Sequence, residues 1–280
     1  ASIMVACLVG LTGGAATMLT GDSSGIHAAK YQPMKLAAAE GLENGGPKAA
    51  FSIVPGVEVP AMLSILATHD INGYVPGIND ILNGYTDNEG NNVLSVEEKM
   101  FRGKLAIQFL KQYREAKDTN PAKAADYLRL FRENEEYMGY GYLNEPEDVI
   151  PNVPLVFWSF RVMVGLGSFL MLLLVVLAWL AWKKKIEKYN WLQWVALLSI
   201  PLVYNCGQAG WIVAEAGRQP WTIQDLLPVG VAVSSLSAAA VKTTFFIFLT
   251  VFALFLVIEL SILVKAIAKG PEMEQLEIEK

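Results

Sequence analysis

Apolar blocks long enough to cross a lipid bilayer constrain this chain more than any other feature. Of its 280 residues, 53% are hydrophobic and only 18% are charged. Three blocks, residues 154–182, 191–216 and 241–268, each exceed the roughly 20 helical residues that span about 30 Å of hydrocarbon. With the opening stretch described below, they predict an all-α integral membrane protein. The expected architecture is a transmembrane helix bundle with a large, partly helical extracytoplasmic loop.

Basic residues set the predicted orientation of these helices. Lysines at positions 183–185 end the first block, and lysines also end the third. Because Lys and Arg collect on the cytoplasmic side, we expect residues 183–190 to form a cytoplasmic loop and residues 269–280 a cytoplasmic tail. Residues 217–240, between the second and third blocks, then form an extracytoplasmic loop.

The opening stretch, residues 1–20, is apolar and rich in glycine. A secretory signal peptide has a basic leader before its apolar run, and this stretch has neither that leader nor an initiating Met. We therefore expect a transmembrane helix, truncated at its start, in the carboxy-terminal piece of a longer protein. About four transmembrane helices are predicted in total.

A polar loop, residues 21–153, follows and is too long to be a simple connector. Its charged amphipathic segments, residues 95–117 and 121–138, predict solvent-facing helices. The helix orientations place this loop outside the cytoplasm. Its two histidines, His27 and His69, have no Cys or His companion at metal-ligand spacing, so a zinc or copper site is not expected there.

Ionisable groups near the ends of the apolar blocks are candidate functional residues, because a charge at membrane depth is costly. Arg161 lies about two turns into the first block, and Glu215 lies at the outer end of the second. The membrane blocks contain no histidine. A haem held there needs other axial ligands, and the chain offers Met163, Met171 and Glu215.

Antiparallel packing of the first two blocks brings Arg161, Met163 and Glu215 near the same membrane face. The residues alone leave two interpretations open. Met163 is also a good core-packing residue. Glu215 and Arg218, at helical i, i+3 spacing, are also consistent with a structural ion pair.

Five motifs follow one another along the chain: Gly21-Asp-Ser-Ser-Gly25, Lys35-Leu-Ala-Ala-Ala-Glu40, Gly139-Tyr-Gly-Tyr142, Phe160-Arg-Val-Met-Val164 and Gly210-Trp-Ile-Val-Ala-Glu-Ala-Gly-Arg-Gln-Pro-Trp221. Their order is similar to that in the larger, haem-bearing subunit of cytochrome bd ubiquinol oxidase. The chain resembles the carboxy-terminal half of that subunit over nearly its whole length. The length of the polar loop is similar to that of the long-loop branch of the family.

The resemblance implies a quinol:oxygen oxidoreductase of the respiratory chain in the bacterial cytoplasmic (inner) membrane. Such an enzyme oxidises quinol at the extracytoplasmic face, reduces oxygen to water and generates a proton gradient. The implied cofactors are low-spin haem b, high-spin haem b and haem d. A second large membrane subunit is implied as partner, whereas small accessory subunits and the choice of ubiquinol or menaquinol stay open. No nucleic-acid partner is expected.

The resemblance also implies residue roles. Lys35 and Glu40 would be the quinol-oxidising pair, although from the residues alone they are consistent with two solvated loop charges. Met163 would be an axial ligand of the low-spin haem b iron, and Glu215 the carboxylate ligand of the high-spin haem b iron. Three further residues are implied to lie beside the haems: Arg161, Trp211 and Arg218.

One feature of the family is missing here. The family's amino-terminal half carries the histidine ligands for the low-spin haem b and haem d. It also carries the acidic residues of the proton path. We therefore expect this piece alone to be catalytically inactive. The alternative prediction is a membrane-anchored extracytoplasmic ligand-binding or sensor module without haem, in which Glu215 and Arg218 are structural. The presence of haem separates the two.

Overall fold

The apolar blocks are helical in a computed structural model of the protein, which describes residues 11–12 and 25–269. Within these residues, three helical stretches are long and apolar enough to cross a membrane: Pro146–Trp182, Asn190–Ala216 and Ala238–Lys269. The predicted all-α membrane class is thus confirmed. Apart from residues 11–12, which are helical, the helix predicted over residues 1–20 lies outside the described residues.

The first half of the polar loop combines short helices with two-stranded antiparallel sheets. Its helices are α1 (residues 25–31), α2 (Pro33–Glu40), α3 (Met62–Thr68) and α4 (Ile78–Asn83). Its strands are β1 (Gly46–Pro47), β2 (Phe51–Val54), β3 (Val57–Val59), β4 (Tyr74–Val75), β5 (Tyr85–Thr86) and β6 (Asn92–Val93). Strand β1 pairs with β4, β2 with β3, and β5 with β6.

The second half of the polar loop contains the two helices that its charge pattern predicts. Helix α5 (Val96–Ala116) starts where the Ser95 hydroxyl accepts a hydrogen bond from the Glu98 amide, and α6 (Pro121–Asn134) starts at Asn120 in the same way. Two 3₁₀ segments, Glu135–Tyr142 and Pro146–Val149, follow. Helix α5 and the first 3₁₀ segment approach closely at Gly103 and Gly141, where a Cβ atom would meet the opposing backbone.

The first two apolar blocks form packed helices below this loop. Helix α7 (Val153–Trp182) begins at Asn152, whose side chain accepts a hydrogen bond from the Leu155 amide, and ends before the lysine run. The second block, expected to be one helix, is divided at Ser199 into α8 (Asn190–Leu198) and α9 (Ile200–Ala216). Pro201 explains the division, because proline has no amide hydrogen to donate and is tolerated only in the first turn of a helix.

A short hairpin follows α9, formed by β7 (Trp221–Ile223) and β8 (Leu227–Pro228). The chain divides into two units, residues 1–232 and 233–280. In the second unit, the described residues form α10 (Ala238–Lys269), a 32-residue apolar helix. The sidedness of the helices and loops stays a prediction.

Candidate functional site

Helix α2 of the polar loop lies against both packed membrane helices. Its alanines 38 and 39 are buried with Val156 of α7 and Val213 of α9 in one apolar cluster. Small alanine side chains allow the α2 backbone to approach both helices closely. The two ends of α2 therefore place different charged side chains near different membrane helices.

At the carboxyl end of α2, Glu40 forms an ion pair with Arg161 of α7. The distance from Arg161 Nη2 to Glu40 Oε2 is 2.9 Å, and the side chains are only 8% and 2% exposed. Arg161 Nη2 also donates to the Ser52 carbonyl oxygen at 2.5 Å, and Nη1 donates to the Ala39 carbonyl oxygen. The structure thus joins two residues that the sequence singled out separately.

Aromatic rings enclose this ion pair. The Arg161 guanidinium carbon lies 3.9 Å from the centre of the Phe157 ring, 5.3 Å from that of Phe160 and 5.7 Å from that of Phe51. Stacking of this kind suits the planar, weakly hydrated guanidinium. Burial raises the pKa of the Glu40 carboxyl, and the positive charge of Arg161 opposes that rise.

Lys35, at the other end of α2, has different neighbours. Its Nζ donates to Gln32 Oε1 at 3.2 Å, and its aliphatic chain lies beside Gly217. Burial and the nearby Arg218 guanidinium lower the pKa of Lys35, whereas the Glu215 carboxylate acts in the opposite direction. The implied quinol pair is therefore spread over the length of α2. Lys35 lies near α9, and Glu40 contacts Arg161 of α7.

The two implied haem ligands lie on neighbouring helices. Met163 of α7 is half-buried, and its Sδ lies beside Gly210 of α9, where a Cβ atom would come within 3.0 Å of the sulfur. Glu215, five residues further along α9, forms a 2.6 Å ion pair with Arg218, and its side chain is 48% exposed. Trp211, between them in sequence, is 64% exposed.

These groups fit the chemistry of haem ligation. A thioether suits low-spin haem iron and a carboxylate oxygen is a hard anionic ligand. The Met163 sulfur packs against α9 in the space that the missing Cβ of Gly210 leaves. Among the described residues, no group of three His, Cys, Asp or Glu side chains could hold a metal ion by themselves. The site can therefore offer single axial ligands to haem but has no described cluster for a bare metal ion.

Several contacts of the site escaped sequence reasoning. Phe157 lies four residues before Arg161 on α7, a spacing at which helical side chains meet, so its stacking could have been found from the sequence. Ser52 and Phe51 reach Arg161 only through the β2–β3 hairpin. No local pattern signals that contact.

A second polar cluster joins the hairpin after α9 to the polar loop. The Tyr140 hydroxyl donates to Asp225 Oδ1 at 2.5 Å, and the Tyr140 ring packs on Trp221 with ring centres 4.9 Å apart. Lys99 Nζ lies 5.3 Å from the Tyr140 ring centre. Burial and the Asp225 carboxylate raise the pKa of Tyr140, so its hydroxyl stays protonated and donates.

We expect Tyr140→Phe to destabilise the protein by about 1.5–3 kcal/mol, the usual range for a hydrogen bond to a charged group. Asp225 Oδ1 would lose the Tyr140 hydroxyl and keep the Gln224 side-chain amide as donor, while the ring packing on Trp221 is kept. Thermal unfolding of the purified protein in detergent measures the change. Tyr142→Phe, at a residue that is 42% exposed, is the matched control. Equal unfolding temperatures for the two variants would contradict this account of the cluster.

Comparison with known proteins identifies the family of the chain. The family model of cytochrome bd terminal oxidase subunit I matches residues 1–271. The chain is 31% identical to cytochrome bd-II ubiquinol oxidase subunit 1 of Escherichia coli (strain K12), over 93% of this chain and 53% of that protein. It is 28% identical to cytochrome bd ubiquinol oxidase subunit 1 of Bacillus subtilis (strain 168), over 97% of this chain and 49% of that protein.

A solved structure shows the same fold. The bd oxidase from Geobacillus thermodenitrificans superposes with a TM-score of 0.58 at 24% identity, covering 96% of this chain and 49% of that chain. The chain thus spans about half the length of the proteins that it matches.

Fold and site together define a helical membrane protein that carries a thioether and a carboxylate on adjacent helices beneath a polar loop. The match over residues 1–271 makes the assignment specific: the chain belongs to the cytochrome bd terminal oxidase subunit I family. The family predicted from the five motifs is confirmed.

Proposed function

We propose that this chain is part of the haem-bearing subunit of a terminal respiratory quinol oxidase in the bacterial cytoplasmic membrane. The enzyme would oxidise quinol at the extracytoplasmic face and reduce oxygen to water, building a proton gradient. Its membership of the subunit I family supports this role. A second large membrane subunit would complete the complex, and the polar loop would be the quinol-binding part of this chain.

The observation that carries the proposal is the burial of Glu40 against α7, where it pairs with Arg161 two residues before Met163. A quinol oxidase needs a proton acceptor close to an electron acceptor, because each quinol hydroxyl loses a proton as an electron leaves the ring. Glu40 is such a proton acceptor, and Met163 is a candidate ligand of the electron acceptor. Lys35, at the other end of the same short helix, would stabilise negative charge that develops on the quinol oxygen.

Met163 would hold the iron of low-spin haem b, and Glu215 would hold that of high-spin haem b. When bound, these haems supply one-electron transfer, with haem d as the implied site of oxygen reduction. Arg218 would orient the Glu215 carboxylate through its 2.6 Å ion pair. The resemblance assigns the remaining axial ligands to the amino-terminal half of the family.

Oxygen uptake by membranes that contain the full-length protein and its partner subunit tests the proposal. Addition of ubiquinol or menaquinol is expected to start oxygen consumption that membranes without the protein do not show. Membranes that contain the protein with its haem but consume no oxygen with either quinol would contradict the proposed activity.

A further inference from the structure

One guanidinium group binds two separate pieces of the polar loop. Arg161 donates to the Ala39 carbonyl oxygen and the Glu40 carboxylate at the end of α2, and to the Ser52 carbonyl oxygen of β2. The planar fork of five N–H donors makes such a multiple contact feasible, whereas the compact ammonium of lysine cannot reproduce it. A side chain of membrane helix α7 therefore fixes the position of the loop around Glu40.

The two oxygens of Glu40 are not equivalent. Oε2 accepts from Arg161 Nη2 at 2.9 Å and from the Ser52 amide at 3.1 Å. Oε1 is buried and has no hydrogen-bond partner among the described residues. A buried polar atom without a partner is costly and uncommon, so Oε1 is the atom that an incoming donor would satisfy.

We propose that Arg161 is a positioning residue for quinol oxidation, which holds Glu40 by Oε2 and leaves Oε1 to accept the proton of a quinol hydroxyl. This inference rests on the proposed function. In the step, the quinol O–H bond breaks and an O–H bond to Oε1 forms, while one electron leaves the quinol for a haem iron of the assembled enzyme. Oε1 then releases this proton to water, and the second proton and electron leave in a second such step, which completes the oxidation to quinone.

The kinetic test compares Arg161→Lys and Arg161→Gln with Arg129→Gln in the full-length complex at equal haem content. Arg129 is the control because it lies on α6 of the polar loop and its side chain is 70% exposed. Both Arg161 variants are expected to leave the Glu40 carboxylate misaligned. The expected result is a fall in kcat for quinol oxidation on the order of 10²-fold, with a smaller change in KM. Arg129→Gln is expected to match the parent.

The pH profile of kcat/KM supplies a readout that a merely structural role would not move. In the part of the chain that the structure describes, the groups facing Glu40 are the charged Arg161 from α7 and the neutral Ser52 amide from β2. The Arg161 charge favours the carboxylate form, so its removal raises the pKa of Glu40 further. Since the proton acceptor must be ionised, the acidic limb of the profile is expected to move to higher pH in Arg161→Gln and less in Arg161→Lys.

Phe157→Leu provides a variant that keeps the charge and loses only the ring stacked on the guanidinium at 3.9 Å. It is compared with Phe101→Leu, at a loop residue that is 62% exposed. A smaller fall in kcat is expected for Phe157→Leu and none for Phe101→Leu. This pair tests the inference even if the Arg161 variants do not accumulate.

The outcomes separate the inference from the proposed function. An active parent whose Arg161 and Phe157 variants match their controls in kcat would overturn the positioning role and leave the oxidase intact. A fall in kcat with an unmoved acidic limb in Arg161→Gln would also overturn it. A parent that contains haem and oxidises no quinol would instead remove the proposed function.

Discussion

Met163→Ala in the full-length protein is expected to abolish the low-spin haem b band in the reduced-minus-oxidised visible spectrum. An alanine methyl cannot bind iron, whereas the half-buried Met163 carries a thioether sulfur that lies beside Gly210 of α9. The loss should be close to complete, because a low-spin haem needs both axial ligands. Visible spectra of membranes, normalised to the amount of protein, measure it.

Met171→Ala is the matched control for this prediction. Met171 lies on the same helix and is also half-buried, and the sequence alone offered it as a further axial ligand. The low-spin band is expected to survive in Met171→Ala. An unchanged band in Met163→Ala, or an equal loss in both variants, would show that the ligand has been misassigned.

Glu40→Gln is expected to slow quinol oxidation by roughly 10²- to 10⁴-fold, the range usual for the loss of a positioned acid–base group. The amide has nearly the same shape but cannot take a proton from a quinol hydroxyl, and it leaves the Arg161 charge without its anionic partner. Quinol-driven oxygen uptake at equal haem content measures the effect.

The control for Glu40→Gln is Glu43→Gln, at an exposed carboxylate three residues further along the chain. That variant is expected to oxidise quinol at the rate of the parent. Activity of Glu40→Gln within a few-fold of Glu43→Gln would mean that another group takes the proton, and the role assigned to Oε1 would fall with it.

The membrane helices could be predicted closely from the sequence, because hydrocarbon thickness fixes how long an apolar helix must be. The block predicted over residues 154–182 is helical over Val153–Trp182. The second block differs at Ser199, because Pro201 starts a new helix inside the block that the apolar pattern predicts to be continuous. The extent of α7 and the division at Ser199 both follow from residues that are close together in the sequence.

The pairing inside the site could not be predicted in the same way. Glu40 and Arg161 are 121 positions apart, and only the packing of α2 on α7 brings them together. From the residues alone, Lys35 and Glu40 are consistent with two solvated loop charges, but in the structure Glu40 is buried against Arg161, and Lys35 has Gln32 as a separate partner. Tertiary contacts of this kind leave no periodic signal in a single sequence.

Family membership favours the oxidase over the haem-free sensor that the residues alone left open. In a sensor, Met163 would be a packing residue and the buried Glu40–Arg161 contact a structural ion pair. In an oxidase, Glu40 would accept a proton and Met163 would hold the low-spin haem b iron. The two accounts differ most sharply in whether the protein contains haem.

The most direct test is a reduced-minus-oxidised visible spectrum of membranes that contain the full-length protein, beside its Glu215→Ala form. The oxidase account predicts low-spin b, high-spin b and d bands in the parent. In the Glu215→Ala form, it predicts perturbed high-spin b and d bands and a preserved low-spin band. A parent protein that is present in the membrane without any haem signal would contradict the account and favour the anchored binding module.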